Sequence, residues 1–154
     1  MTFQDGNKLD GKHYWLTPPE LMEQVIKELG PDFFDPAPFP KPENFDGLEI
    51  DWANSNYVNP PFGGFKSKTG KRMPGVTAWV RKAIKEYQKG KKVVFVYPID
   101  KWVFFFLQAG AEIKNMGDVK WLATEDRSQG KGTGRHVAMF ILDPTKNDHN
   151  PRNH

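Results

Sequence analysis

Cysteine is absent from the 154-residue chain, which rules out disulfides and thiolate metal sites. The four histidines, His13, His136, His149 and His154, fall at no metal-ligand spacing, so surface positions and no metal are expected. Long apolar runs are also missing. No stretch approaches the ~18 apolar residues of a membrane helix, and the first residues lack the basic start and apolar core of a secretion signal. The expectation is a soluble, cytoplasmic protein with no membrane partner. No repeat recurs at a solenoid period. Charge of one sign is scarce as well. Twenty-two Lys and Arg against 19 Asp and Glu leave +3, which tolerates a polyanionic partner without demanding one. The length suits one domain able to bury a core.

What the chain does have is the stretch Asn56-Tyr57-Val58-Asn59-Pro60-Pro61-Phe62-Gly63-Gly64. It reads as a short buried strand, halted by two prolines and opening into a glycine-rich loop. Each proline holds φ near -65°, offers no N–H to a sheet, and pushes the residue before it to extended geometry. Asn59 is thereby fixed at a strand end on stiff backbone, beside the Phe62 ring. A fixed polar group next to a stacking face suits chemistry on a flat heterocycle. A proline-rich turn that merely closes a strand is the alternative.

Residues 1–12 are polar and glycine-spaced, as in a loose arm. Thr17 precedes Pro18, Pro19 and Glu20 in a capping-box pattern, and Leu21, Val25, Ile26 and Leu29 then recur at helical spacing up to Gly30-Pro31. Trp15 and Thr17 either staple and cap that helix or serve a site. Phe33-Phe34-Asp35-Pro36-Ala37 has the look of a central strand ending in an acid, and ligands of doubly wound sheets sit outside such strand ends. Asp35 either receives a ligand ammonium or bonds its own turn. Residues 46–52 offer a second brief strand or turn.

Further on, residues 63–75 form a glycine-rich loop carrying Lys66, Lys68, Lys71 and Arg72. It reads either as a clamp on nucleic-acid phosphates or as a solvated charge run. Residues 76–88 carry an amphipathic helical pattern, 93–98 the clearest strand, and 102–108 a short helix. Strands at 119–123 and 137–142 flank a polar loop, 124–136, as in an antiparallel hairpin. Arg135 in that loop is a candidate phosphate contact. Trp79, Trp102 and Trp121 lie on apolar faces and are expected in the core. Residues 144–154 make a polar tail.

Trp15-x-Thr17-Pro18, Phe34-Asp35-Pro36-Ala37, Asp46-Gly47-Leu48, Trp52 and Asn59-Pro60-Pro61-Phe62, in this order, resemble the phage-type DNA adenine-N6 methyltransferases. The resemblance covers residues 13–143, and Asn-Pro-Pro-Phe after a strand is its most specific element. It implies an α/β, Rossmann-like methyltransferase fold: a mostly parallel sheet with an antiparallel edge hairpin and helices on both faces. It implies S-adenosyl-L-methionine as cofactor and DNA, duplex or single-stranded, as partner of a monomer or homodimer, phage-encoded and acting in a host cytoplasm. Asn59, Pro60, Pro61 and Phe62 would form the catalytic element, with Asn59 and the Pro60 carbonyl accepting the adenine amino protons and Phe62 stacking on an extruded base. Trp15, Thr17, Pro18, Asp35, Ala37 and Asp46 would hold the cofactor, with Glu49 and Asp51 as rivals to Asp46 for the ribose. The chain has no room for a separate target-recognition domain, so loops, tail or a second subunit would read the target. Methylation of RNA adenine or of a protein glutamine amide, and a non-catalytic nucleic-acid-binding module, remain the alternatives.

Overall fold

The computed structural model describes residues 11–61, 75–132 and 134–147. Along the chain the elements run β1 (Tyr14–Leu16), α1 (Pro19–Leu29), β2 (Ser55–Val58), α2 (Val76–Gln88), β3 (Lys92–Pro98), α3 (Val103–Ala109), β4 (Glu112–Gly117), β5 (Leu122–Ala123), β6 (Val137–Leu142) and α4 (Pro144–Asn147). β3 and β6 are the most apolar segments, and both are buried almost end to end. Strands without a polar face belong where both faces are covered, which puts them at the centre of the sheet. They pair antiparallel, with Phe95 opposite Phe140. β2 lies parallel on the outer side of β3, and β4 antiparallel on the outer side of β6, giving the order β2-β3-β6-β4. β1 and β5 form a separate two-stranded antiparallel sheet.

Side chains alternate across a strand, so the two faces of the main sheet can be read separately. On one face Phe95 and Phe140 meet Trp102 and Phe106 at the α3 side, with Phe106 stacked on Phe140 at 4.5 Å between ring centres. On the other, Lys92 donates to the Glu28 carbonyl at 2.7 Å and Lys114 to the Glu28 carboxylate at 2.8 Å, which ties the end of α1 across the strands. Leu21 and Val25 are the residues α1 buries, and Trp79, Val80 and Ala83 head those of α2.

This arrangement overturns the expected Rossmann-like methyltransferase sheet. One strand pair of the main sheet is parallel and two are antiparallel, and the remaining two strands stand apart as their own sheet. The strand expected at residues 33–37 contracts to a single parallel bridge, Phe34 with Asn56. Pro36 and Pro38 have no N–H to continue a ladder, so the pairing stops there. The hairpin expected between 119–123 and 137–142 is not formed either. β6 takes β4 as its neighbour, and β5 lies outside the main sheet, paired with β1.

Glu86 fastens α2 to the segment that precedes β2. Its carboxylate is fully buried and accepts from the Trp52 N–H at 2.8 Å, Lys91 at 2.7 Å, Lys89 at 2.9 Å and Lys82 at 3.3 Å. Burial alone would raise its pKa, but these four donors outweigh it and hold the group well below the usual carboxylate range. The Trp52 indole in turn donates to the Gly47 carbonyl at 2.7 Å. The loop at 46–48 is thus anchored to α2 through Trp52. Among the described residues no helix is long and apolar enough to cross a membrane.

Candidate active site

β2 runs into Asn59 and then Pro60 and Pro61, so the chain leaves the sheet at Asn59 with no option of extending the strand. Asn59 is 6% exposed. Its Nδ2 donates to the Trp15 carbonyl at 2.8 Å and, more weakly, to Thr17 Oγ1 at 3.4 Å. The Trp15 indole donates back to the Asn59 carbonyl at 3.0 Å. With Nδ2 engaged, Oδ1 is buried and has no hydrogen-bond partner among the described residues. A buried acceptor left unpaired costs roughly 1–3 kcal/mol, which a donor arriving from a ligand would recover.

Thr17 does not cap α1. The helix starts behind Pro18 with no side-chain cap, and the Thr17 hydroxyl lies 2.7 Å from the Tyr57 hydroxyl. Pro18 has no N–H, and its fixed φ already suits a helix start, so the hydroxyl is released to the site. Burial pushes Tyr57 well above the usual phenol range, against the Thr17 bond that favours ionisation. The pair is therefore two neutral hydroxyls.

Asp35 follows the Phe34 bridge and sits half-buried in the same cavity, of about 160 Å³, as Trp15, Thr17, Tyr57 and Asn59. Its Oδ1 accepts from the Ala37 N–H at 2.9 Å, and it has no ion-pair partner among the described residues. Burial raises its pKa to about 6, with the Ala37 N–H opposing. Trp15 and Ala37 also wall a second cavity of about 90 Å³, which Pro61, Trp79, Lys41 and Asp46 line. The two cavities thus share one partition, a tryptophan edge and an alanine. Asp46 is exposed, and its Oδ1 accepts from the Leu48 N–H at 2.9 Å. Of its rivals, Asp51 is paired with Lys89 at 3.1 Å, and neither it nor Glu49 lines the cavity. The second cavity closes tightly at Gly47, where a Cβ would collide with the Pro36 carbonyl oxygen.

A residue the sequence reading did not single out completes the first cavity. Residues 121–130 fold back on themselves, with Ala123 N–H donating to the Ser128 carbonyl and Gly130 N–H to that of Trp121. Arg127 sits in the turn at φ +62°, a conformation that costs a non-glycine residue of order 1 kcal/mol. It is exposed and lines the cavity with Asp35 and Asn59. Glu125 and Asp126 beside it are both engaged by the arm, through His13 at 2.8 Å and Lys12 at 2.7 Å.

Phe62, Lys66, Lys68, Lys71 and Arg72 lie outside the described residues. Pro18 is buried at the start of α1. Arg135 donates to the Ile99 carbonyl at 2.8 Å and is 3.7 Å from Asp100, just past the carboxyl end of β3. A larger cavity, about 380 Å³, lies elsewhere, against Glu20, Gln24 and Asp118. Among the described residues that line it, no buried side-chain atom is left without a partner, so size alone does not make it the site. Compared with protein-family models, curated proteins and solved structures, the chain matches none of them. A functional reading rests on the site's own geometry.

Proposed function

We propose that the protein transfers a methyl group from S-adenosylmethionine to the exocyclic N6 of adenine in DNA. The observation that carries this reading is the buried Oδ1 of Asn59, without a partner among the described residues, on a side chain that Trp15 orients and that lines the same cavity as Asp35. An adenine amino group offers N–H donors to such an acceptor. Its nitrogen lone pair is delocalised into the ring and is a weak nucleophile. Asn59 Oδ1 accepting one N–H and the Pro60 carbonyl accepting the other would favour a pyramidal nitrogen with its lone pair free. Fixing both acceptors beforehand is orientation and electrostatic preorganisation, and needs no general base.

The residues present fit the cofactor. Asp35 is a half-buried carboxylate with no cation beside it among the described residues, suited to an ammonium, and Trp15 and Ala37 separate it from a smaller compartment that Asp46 lines. When bound, S-adenosylmethionine supplies a methyl group activated by a sulfonium. On transfer the N–C bond would form as the S–C bond breaks to leave the thioether, and the extra proton on nitrogen would leave to solvent. Phe62 would stack on a base drawn out of the helix, offsetting part of the few kcal/mol that extrusion costs.

The test incubates the full chain with isotopically labelled S-adenosylmethionine and DNA oligomers, followed by nucleoside mass spectrometry. Label at adenine N6, absent with Asn59→Ala, is expected. Label on RNA adenine or on protein glutamine instead would redirect the substrate. No cofactor binding by folded protein, with or without DNA, would overturn the reading and leave a nucleic-acid-binding module.

A further inference from the structure

We propose that the cavity shared by Asp35 and Arg127 is a receptor for the head of an α-amino acid, with Arg127 binding the carboxylate. This rests on the methyl-transfer reading, in which the ligand carries a methionine head, and it assigns a partner to the half of that head left unmatched.

The argument starts from charge. The turn at residues 124–127 holds two acids and one base. Both acids face outward to the arm: Glu125 accepts from the His13 backbone N–H at 2.9 Å and meets its ring at 2.8 Å, and Asp126 pairs with Lys12 at 2.7 Å. Arg127 has no ion pair and no side-chain hydrogen bond among the described residues. The Thr124 N–H donates to the His13 carbonyl at 2.9 Å, so backbone as well as side chains pin the turn over β1. Arg127 is therefore delivered to the cavity by a clamped turn rather than by a free loop.

Among the described residues one carboxylate lines the cavity, that of Asp35, and it too has no ion-pair partner there. The two opposite charges do not pair with each other. A zwitterionic head, with ammonium and carboxylate on one carbon, neutralises both at once. The guanidinium fork takes a carboxylate through two parallel N–H bonds, which a lysine could not reproduce. The cavity, about 160 Å³, equals roughly five waters at their liquid volume, room enough for such a head. Asn59 lines the same cavity, with its Oδ1 buried and without a hydrogen-bond partner among the described residues.

The experiment is titration calorimetry of the full chain with two ligands. S-Adenosylhomocysteine carries the amino-acid head, and 5′-methylthioadenosine lacks it. Arg127→Asn removes the charge while tolerating positive φ, and Arg127→Lys keeps the charge without the fork. The expected result is a loss of about 10- to 100-fold for S-adenosylhomocysteine in Arg127→Asn, the range for one charge-assisted pair. Arg127→Lys should recover part of it, and methylthioadenosine should bind all three proteins alike. Unchanged S-adenosylhomocysteine affinity, or equal losses for both ligands, would overturn the assignment. Should the wild type bind neither nucleoside, the methyl-transfer reading fails. Saturation-transfer NMR with L-methionine and its methyl ester then decides the receptor alone. Binding of the acid but not the ester, lost in Arg127→Asn, upholds it, and no binding of the acid overturns it. A selective loss in Arg127→Asn without methyl transfer to any nucleic acid upholds the receptor and sinks the reading above.

Discussion

Trp15 and Asn59 hold each other by two reciprocal hydrogen bonds, indole to Asn59 carbonyl at 3.0 Å and Asn59 amide to Trp15 carbonyl at 2.8 Å. The pair joins the two sheets, because Trp15 belongs to β1 and Asn59 leaves β2. It also fixes the orientation of the Asn59 amide. A flipped amide would set two carbonyl oxygens against each other.

Asn59→Ala should reduce single-turnover methyl transfer by about 10²–10³, the usual consequence of losing one preorganised hydrogen-bonding group. Cofactor affinity should change by less than about tenfold, since Asp35 remains in place. The melting transition should fall by the equivalent of ~1–2 kcal/mol, because the Trp15 carbonyl loses its donor. A rate within threefold of wild type would remove Asn59 from the chemistry.

Asp35→Asn should stabilise the ligand-free protein at pH 8 and not at pH 4. The carboxyl titrates at about 6 when folded, against 3.8 for the ordinary group. The folded state thus holds the proton more tightly, and the advantage is present below pH 4 and lost as pH rises through 6. Above that the wild type keeps a half-buried charge, worth at most about 3 kcal/mol for a shift of this size. Asparagine avoids the charge and keeps the bond from Ala37. Thermal melts at the two pH values check the sign. Cofactor binding should show the reverse: wild-type affinity weakens below pH 6, and Asp35→Asn is weak throughout.

Gly47→Ala should cost ~2–3 kcal/mol and impair cofactor binding together. The new methyl would meet the Pro36 carbonyl and the Trp79 ring. Overpacking of this kind displaces backbone, and the backbone displaced here is the turn between Asp35 and Ala37. Chemical denaturation alongside calorimetry tests whether both losses occur in the one variant.

Glu86→Gln should destabilise by ~3 kcal/mol, since three ammonium groups lose the carboxylate they surround. The wild-type stabilisation is present above the ordinary glutamate pKa of about 4.5 and is lost as pH falls through the depressed folded value. Urea midpoints between pH 7 and pH 2 should draw closer for the two proteins as pH falls below 4.5.

Asn59 and Asp35 were legible because proline punctuates the chain beside each, and proline acts locally. The same punctuation misled at residues 33–37. An apolar pair before Asp-Pro looks like a central strand, yet the prolines that mark the site also limit the segment to one bridge. The burial of β3 and β6 could be read from their unbroken apolar composition, but not their direction or order, since covering both faces is compatible with either. Thr17 carried a capping signature that the structure does not use. Arg127 gave no local signal at all. Its placement depends on contacts between His13 and Glu125, 112 residues apart in the chain.

The order β2-β3-β6-β4 also bears on how the protein is made. β6 provides two of the three strand pairings in the main sheet, and it is the last of the four strands to leave the ribosome. Until it emerges, β4 has no neighbour and β3 has one bare edge, so nascent chains can form only the β2–β3 pair with its crossover helix. Sheet closure then waits for long-range contacts that are slow to form. Chains stalled before residue 137 should expose an apolar strand edge of the kind chaperones cover.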